Sequence, residues 1–187
     1  MSIPTYVDPI PLPAPVTSGS GIQSYTDPLG DVWVAANGVN SGNWRRAREV
    51  LKARAGPSAN TAVTPANAFQ VVLLSTISSD TYGLVSSNRF NLPIAGWWRF
   101  HGSSAMGSGI ARWIVTCFKN GAEYARGTDI SNVTTASISG GVVNDTIPCA
   151  AGDYLELRVF CSIATLSYYG LATNYLTYAT VAYDGTG

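Results

Sequence analysis

From position 68 onward, apolar and polar residues alternate in short runs separated by turn residues. This pattern predicts strand after strand with no helical insert, an all-β sandwich or barrel. Phe69-Gln70-Val71-Val72-Leu73-Leu74 is the first apolar run, and residues 88–92 lead into Pro93. Successive strand side chains point to opposite faces, so Trp98 and Phe100 share one face and Trp97 and Arg99 the other. Residues 111–118 predict a long strand. Asn120-Gly121 follows it as a strong hairpin signal, and Glu123-Tyr124-Ala125-Arg126 is the returning partner. A strand over 133–138 is expected to close at Gly140-Gly141. Between 154 and 163, Leu155, Leu157, Val159 and Cys161 form one face, and Tyr154, Glu156, Arg158 and Phe160 the other. The last strand is expected over 175–183.

The front of the chain reads differently. Residues 1–30 are rich in Pro, Gly and Ser. Proline withholds backbone donors and fixes φ, so Pro9, Pro11 and Pro13 predict an extended, polyproline-like arm. Residues 31–35 predict a short strand and Asn37-Gly38 a tight turn. Residues 41–52 predict one short helix, with Asn43 as its cap and Ala47, Val50 and Leu51 at helical spacing, ending by Gly56-Pro57. The expected organisation is an arm over 1–30, a strand-plus-helix connector over 31–65 and a β head over 66–187.

Composition narrows the function classes. Charged residues are 12% of the 187, about half the roughly 25% of ordinary globular chains. With 11 basic and 11 acidic residues, there is no basic stripe for nucleic acid. Arg45, Arg46, Arg48, Lys52 and Arg54 read as a solvated helix face, with docking of an acidic partner as the alternative. No run of about 18 apolar residues exists to cross a membrane. The first residues lack the basic-then-apolar pattern of a signal peptide, so synthesis in a reducing cytoplasm is expected. Five tryptophans and ten tyrosines among so few charges point to a buried interface, because aromatics are enriched in interface cores. Subunits around a threefold axis are the simplest partner for a sheet that is apolar on both faces. Trp97, Trp113, Tyr175 and Tyr178 are the candidates for that interface.

Enzymatic and metal chemistry find little support in the residues. Cys117, Cys149 and Cys161 form no CxxC pair and His101 is the only histidine, so a Cys/His zinc site is not expected. The thiols read as buried and reduced; a disulfide between two of them is left open. A glycosidase needs two carboxylates about 5–9.5 Å apart. Asp80, Asp129, Asp145, Asp153, Glu156 and Asp184 are the candidates, and spacing pairs none of them. A Ser-His-Asp triad would have to use His101, and no Gly-x-Ser-x-Gly elbow accompanies it. No catalytic residue, cofactor or bound metal is expected; loop oxygens can hold calcium, but no Asp-rich loop is present to do so.

The motif order resembles the jelly-roll heads of the tumour necrosis factor and complement globular-head superfamily. Pro93, Gly96, Trp98 and Phe100 match its P-x-x-G-x-Y-x-F strand, with tryptophan in place of tyrosine. Lys119, Asn120 and Gly121 match its hairpin, Gly152, Asp153, Leu155 and Leu157 its G-D-x-l-x-L strand, and 175–183 its closing strand. The resemblance covers about residues 66–184 and implies an antiparallel jelly-roll β-sandwich, a homotrimer and no catalytic centre. Residues 30–48 resemble a segment of tail proteins from phages that infect actinobacteria, where it precedes heads of this kind. That implies a virion protein made in the bacterial cytoplasm: a tail fibre or minor tail protein, or a capsid decoration or tail-tip component whose arm straps neighbouring subunits. The arm, with Pro9, Pro11, Pro13, Trp33 and Trp44, is the candidate attachment to other virion proteins. A host cell-surface glycan or protein is the expected ligand. The loop 164–174 is its candidate site, through Tyr168, Tyr169 and Asn174, since aromatic rings stack on sugars and polar side chains bond them. The same tyrosines could instead line the trimer axis.

Overall fold

The structure is a computed structural model that describes residues 22–28, 30–36, 44–80, 82–106, 110–133, 139–163, 166–170 and 176–186. The front of the chain forms β1 (Ile22–Thr26), β2 (Val32–Ala36), β3 (Arg45–Arg46) and a single helical turn, α1 (Ala47–Val50). Then come β4 (Lys52–Gly56), β5 (Thr61–Ala62), β6 (Ala68–Val71), β7 (Thr76–Asp80), β8 (Val85–Ser86) and β9 (Arg89–Asn91). The long strands follow: β10 (Gly96–Met106), β11 (Ile110–Lys119), β12 (Ala122–Val133), β13 (Ser139–Cys149), β14 (Tyr154–Cys161), β15 (Ser167–Tyr168) and β16 (Tyr178–Gly185).

Two antiparallel sheets face each other. One runs β5-β15-β10-β16-β4-β7, with β13 also paired to β10; the other runs β12-β11-β14-β9-β8, with β6 also paired to β14. Alternation sets what lies between them. Trp98 and Phe100 face Leu155, Leu157, Val159, Val115 and Cys117 in one continuous core. Trp98 meets Tyr183 edge-on at 5.3 Å and donates its indole N–H to the Ile94 carbonyl at 3.2 Å. Gly102 lets the sheets close up, because a Cβ there would stand 2.5 Å from Leu157 Cδ1. The Asn120-Gly121 turn has φ of 51° and 81°, the left-handed pair that a two-residue hairpin needs.

A small third sheet, β1-β2-β3, sits at the end of the sandwich where β16 finishes. Val34, Ala47 and Leu51 carry its contact into the core, and Leu51 O accepts the Tyr183 N–H at 2.9 Å.

Three expectations change. The helix over 41–52 reduces to α1 in the described residues: Arg45-Arg46 pair with Trp33 and Val34 on β2, and Lys52–Gly56 pair with β16 and β7. Ala53 and Ala55 fill the core between outward Lys52 and Arg54, a strand alternation whose inward residues are too small to show as an apolar run. The sandwich therefore takes up residues placed in the connector. Gly140-Gly141 does not close a strand but lies inside β13, which runs on through Pro148; an edge position tolerates a proline that donates nothing. Residues 134–138, Asn37-Gly38 and most of the 1–30 arm, including Pro9, Pro11 and Pro13, lie outside the described residues. Cys117, Cys149 and Cys161 are buried free thiols. Burial pushes the Cys117 thiol well above its ordinary range and Cys149 up to about 11.

Candidate functional site

The outward faces of the two sheets are built from similar residues to opposite effect. On the β11/β14 sheet, Ile114, Thr116 and Phe118 point out of the sandwich, yet Phe118 is only 6% exposed. The chain covers them itself. Phe69 packs against Phe118 and Phe160 with ring centroids 5.3 and 5.6 Å apart. An arginine lies over each ring: Arg158 over Phe118 at 4.2 Å, Arg126 over Phe69 at 5.8 Å and Arg112 over Phe160 at 5.9 Å. Each of these arginines is held by a carboxylate. Arg112 donates to both oxygens of Asp129, Arg126 to both of Glu123, and Arg158 to Glu156 Oε2 at 2.7 Å. Those bonds hold the Asp129 and Glu123 carboxyls below the usual range and raise the Arg112 and Arg126 guanidiniums. Flat guanidiniums suit both tasks, stacking on a ring and gripping a carboxylate in its plane.

Among the described residues the β10/β16 sheet has no such cover. The register sets Trp97 beside Pro148, Arg99 beside Thr146 and Ala182, His101 beside Asn144 and Thr180, and Ser103 beside Val142 and Tyr178. Trp97 is 38% exposed and Val142 48%. At the centre, the Tyr178 hydroxyl is 3.1 Å from His101 Nε2, and the Arg54 guanidinium lies 3.8 Å from the Tyr178 ring. Arg99 and Asp184 form an exposed pair at 3.4 Å. Lys52 stands exposed beside Ala182 on β4, and the rest of this face is small and uncharged: Ser103, Asn144, Thr146, Thr180 and Ala182.

The two ends of the sandwich also differ. The small sheet and α1 dock where β10 begins and β16 ends, beside the turns at Asn120-Gly121 and Ala150–Asp153. Here Asn120 donates to Asp153 at 2.7 Å and accepts from Tyr154 N–H at 2.9 Å. The bond from Asn120, with Ala150 N–H and Lys119, holds the Asp153 carboxyl below its usual range. Within the small sheet, Trp33 donates its indole N–H to Asp27 at 3.0 Å and lies under Arg46, while Trp44 meets Tyr25 edge-on at 6.5 Å. At the far end lie Met106, Ile110, Val133, Ser139, Ile163, Leu166, Gly170 and Leu176.

Several candidate residues move. Tyr168 is 1% exposed, and its hydroxyl accepts the Leu73 N–H at 3.0 Å; its ring belongs to the core rather than to an open loop surface. Trp113 is fully buried between the sheets, so it is a core residue and not an interface one. Tyr169 is half-buried at the far end, with its N–H on Ala105 O. Trp97 and Tyr178 share the uncovered face, joined by Val142, Arg54 and His101, which the interface reading did not name. Asn174 and Tyr175 lie outside the described residues. The six candidate carboxylates do not converge. Asp129, Glu156 and Asp184 pair with local arginines. Asp80 accepts the Leu84 and Val85 N–H groups, Asp145 the Thr146 N–H, and Asp153 the turn just described. Among the described residues no group of three His, Cys, Asp or Glu is placed to hold a metal ion, and no helix is long and apolar enough to cross a membrane.

No protein-family model and no curated protein matches the chain. Solved structures do. The globular domain of zebrafish complement 1qA protein aligns with a TM-score of 0.55 at 9% identity, over 73% of this chain and 98% of that one. Eiger TNF from S. frugiperda gives 0.58 at 9% identity, over 73% and 94%. Murine APRIL gives 0.52 at 11% identity, over 71% and 98%. The fold is that of an antiparallel jelly roll of the TNF and complement globular-head kind.

Proposed function

We propose that this chain is a non-enzymatic, self-associating head, a homotrimer that attaches to a bacteriophage particle through its N-terminal arm and meets the host surface with the opposite end. The observation that carries the self-association is the uncovered β10/β16 face. An aromatic surface of this kind, with Trp97 and Val142 open, is what a monomer ordinarily hides. Copies of the same chain are the simplest cover. The far end supports the polarity: the small sheet with Trp33 and Trp44 occupies one end, and the strands around Tyr169 finish at the other. The attachment to a phage particle rests on the likeness of residues 30–48 to phage tail proteins. The non-enzymatic reading is supported by six carboxylates each tied to a local partner. Weak single sites on three heads gain strength through multivalency.

Two measurements test the reading. Sedimentation equilibrium of the purified chain is expected to give three times the monomer mass, and a monomer at micromolar concentration would contradict it. Fluorescently labelled protein is expected to bind actinobacterial cells saturably; a trimer that binds no cell across a broad host panel would overturn the attachment role.

A further inference from the structure

The uncovered face holds the only histidine of the chain, at its centre. We propose that His101 makes assembly through this face acid-labile, so that the head is joined at neutral pH and loosened in mildly acidic surroundings. The inference rests on the reading of this face as the self-association surface.

Charge in a confined place is what would make the contact sensitive to acid. His101 and Tyr178 lie with ring centroids 5.5 Å apart, and His101 Nε2 is 3.1 Å from the phenol oxygen. Arg54 lies on the Tyr178 ring, so imidazole, phenol and guanidinium form one contiguous stack. Among the described residues the surroundings offer an imidazolium little compensation. From β13 it faces Asn144, with Val142 and Thr146 on either side; alternation puts Asp145 on the other face. From β16 it faces Thr180 and Tyr178, and from β4 Arg54, with Lys52 further along. On its own strand the neighbours on this face are Arg99 and Ser103. The one carboxylate on these strands' outward side is Asp184, already 3.4 Å from Arg99. A neutral imidazole fits this setting and accepts or donates one hydrogen bond to Tyr178. A protonated one adds a cation to a face that already carries Lys52, Arg54 and Arg99, and symmetric association brings each copy's cations together. Association then expels protons from His101, and by linkage acid must weaken it. Imidazole is the one side chain type whose charge ordinarily changes between about pH 5 and 8, and the test spans that interval.

The test is sedimentation equilibrium of the full chain and of His101→Gln, which keeps a polar group beside Tyr178 and cannot be protonated, at about pH 7.5 and about pH 5.5. The wild type is expected to lose at least about tenfold in association over that interval, and His101→Gln less than about twofold. Added salt is expected to restore the wild type at the lower pH, because the opposing force is repulsion between cations. Wild type that is assembled at both pH values overturns the inference and leaves the self-association reading standing. Equal loss in both proteins overturns it too, since another group would then be titrating. Wild type that is monomeric at both pH values overturns the inference together with the reading beneath it.

Discussion

The outward faces of the two sheets use the same materials, aromatic rings and arginines, in different proportions. On the β11/β14 face each of Phe69, Phe118 and Phe160 has a guanidinium over it, and each guanidinium has its own carboxylate. That face completes itself. On the β10/β16 face one arginine covers Tyr178, while Trp97 and Val142 remain open. The difference teaches that counting exposed aromatics does not locate an interface. What separates the two faces is whether the described chain supplies its own lid.

The sharpest way to break the contrast is to charge the open face. Val142→Arg is expected to abolish self-association while leaving the melting temperature of the isolated subunit unchanged. An unpaired charge buried on association costs about 3–5 kcal/mol, and sedimentation read beside thermal melting checks both halves. The mirror experiment is Phe118→Ala on the closed face. It is expected to lower unfolding free energy by about 3 kcal/mol with association intact, as large-to-small changes at buried rings do; urea titration measures it. If Phe118→Ala dissociates the assembly instead, the two faces have been assigned the wrong way round.

Smaller effects refine the picture. Arg158→Ala removes a lid without creating a cavity and is expected to cost about 1 kcal/mol of stability, the scale of one stacked and paired arginine. It should also expose Phe118 enough to raise binding of a hydrophobic dye. The smallest effects come from acid. Glu123, Asp129 and Asp153 have carboxyls held below their ordinary range in the folded chain. Their contribution to stability is therefore complete above the unfolded carboxylate range and is lost as pH falls through the lower folded values. Urea midpoints are expected to decline only below about pH 4, a window separate from any change in association near the histidine range. Asp129→Asn should flatten that decline; a decline of unchanged steepness would remove this pair from the account.

Much of the sandwich was legible because strong alternation reports burial directly. Leu155, Leu157, Val159 and Cys161 all face the core, and Asn120-Gly121 turns where a left-handed pair was expected. The elements missed were those whose core contact is small. Ala53 and Ala55 bury little side chain each, so β4 carried no visible apolar run. β13 contains Gly140, Gly141 and Pro148, residues that break strands except at an edge. Site residues were harder. Trp97 and Trp98 differ by one position and by the whole thickness of the sheet, which alternation resolves. Tyr168 and Tyr169 sit in a segment where only the tertiary hydrogen bond from Leu73 to the Tyr168 hydroxyl decides which ring is inside. The arginine lids were invisible in sequence, because Arg112, Arg126 and Arg158 meet Phe160, Phe69 and Phe118 across strands rather than along one.

The central claim is that one face is covered by other copies and the other by the chain itself. Hydroxyl-radical footprinting of the chain, read by mass spectrometry across a dilution series, tests it most directly. Trp97 is expected to be protected at concentrations where the chain is assembled and to become reactive on dilution, while Tyr124, 45% exposed on β12, reacts equally throughout. Trp97 reactivity that does not change with concentration, in protein shown to be assembled, would contradict the account.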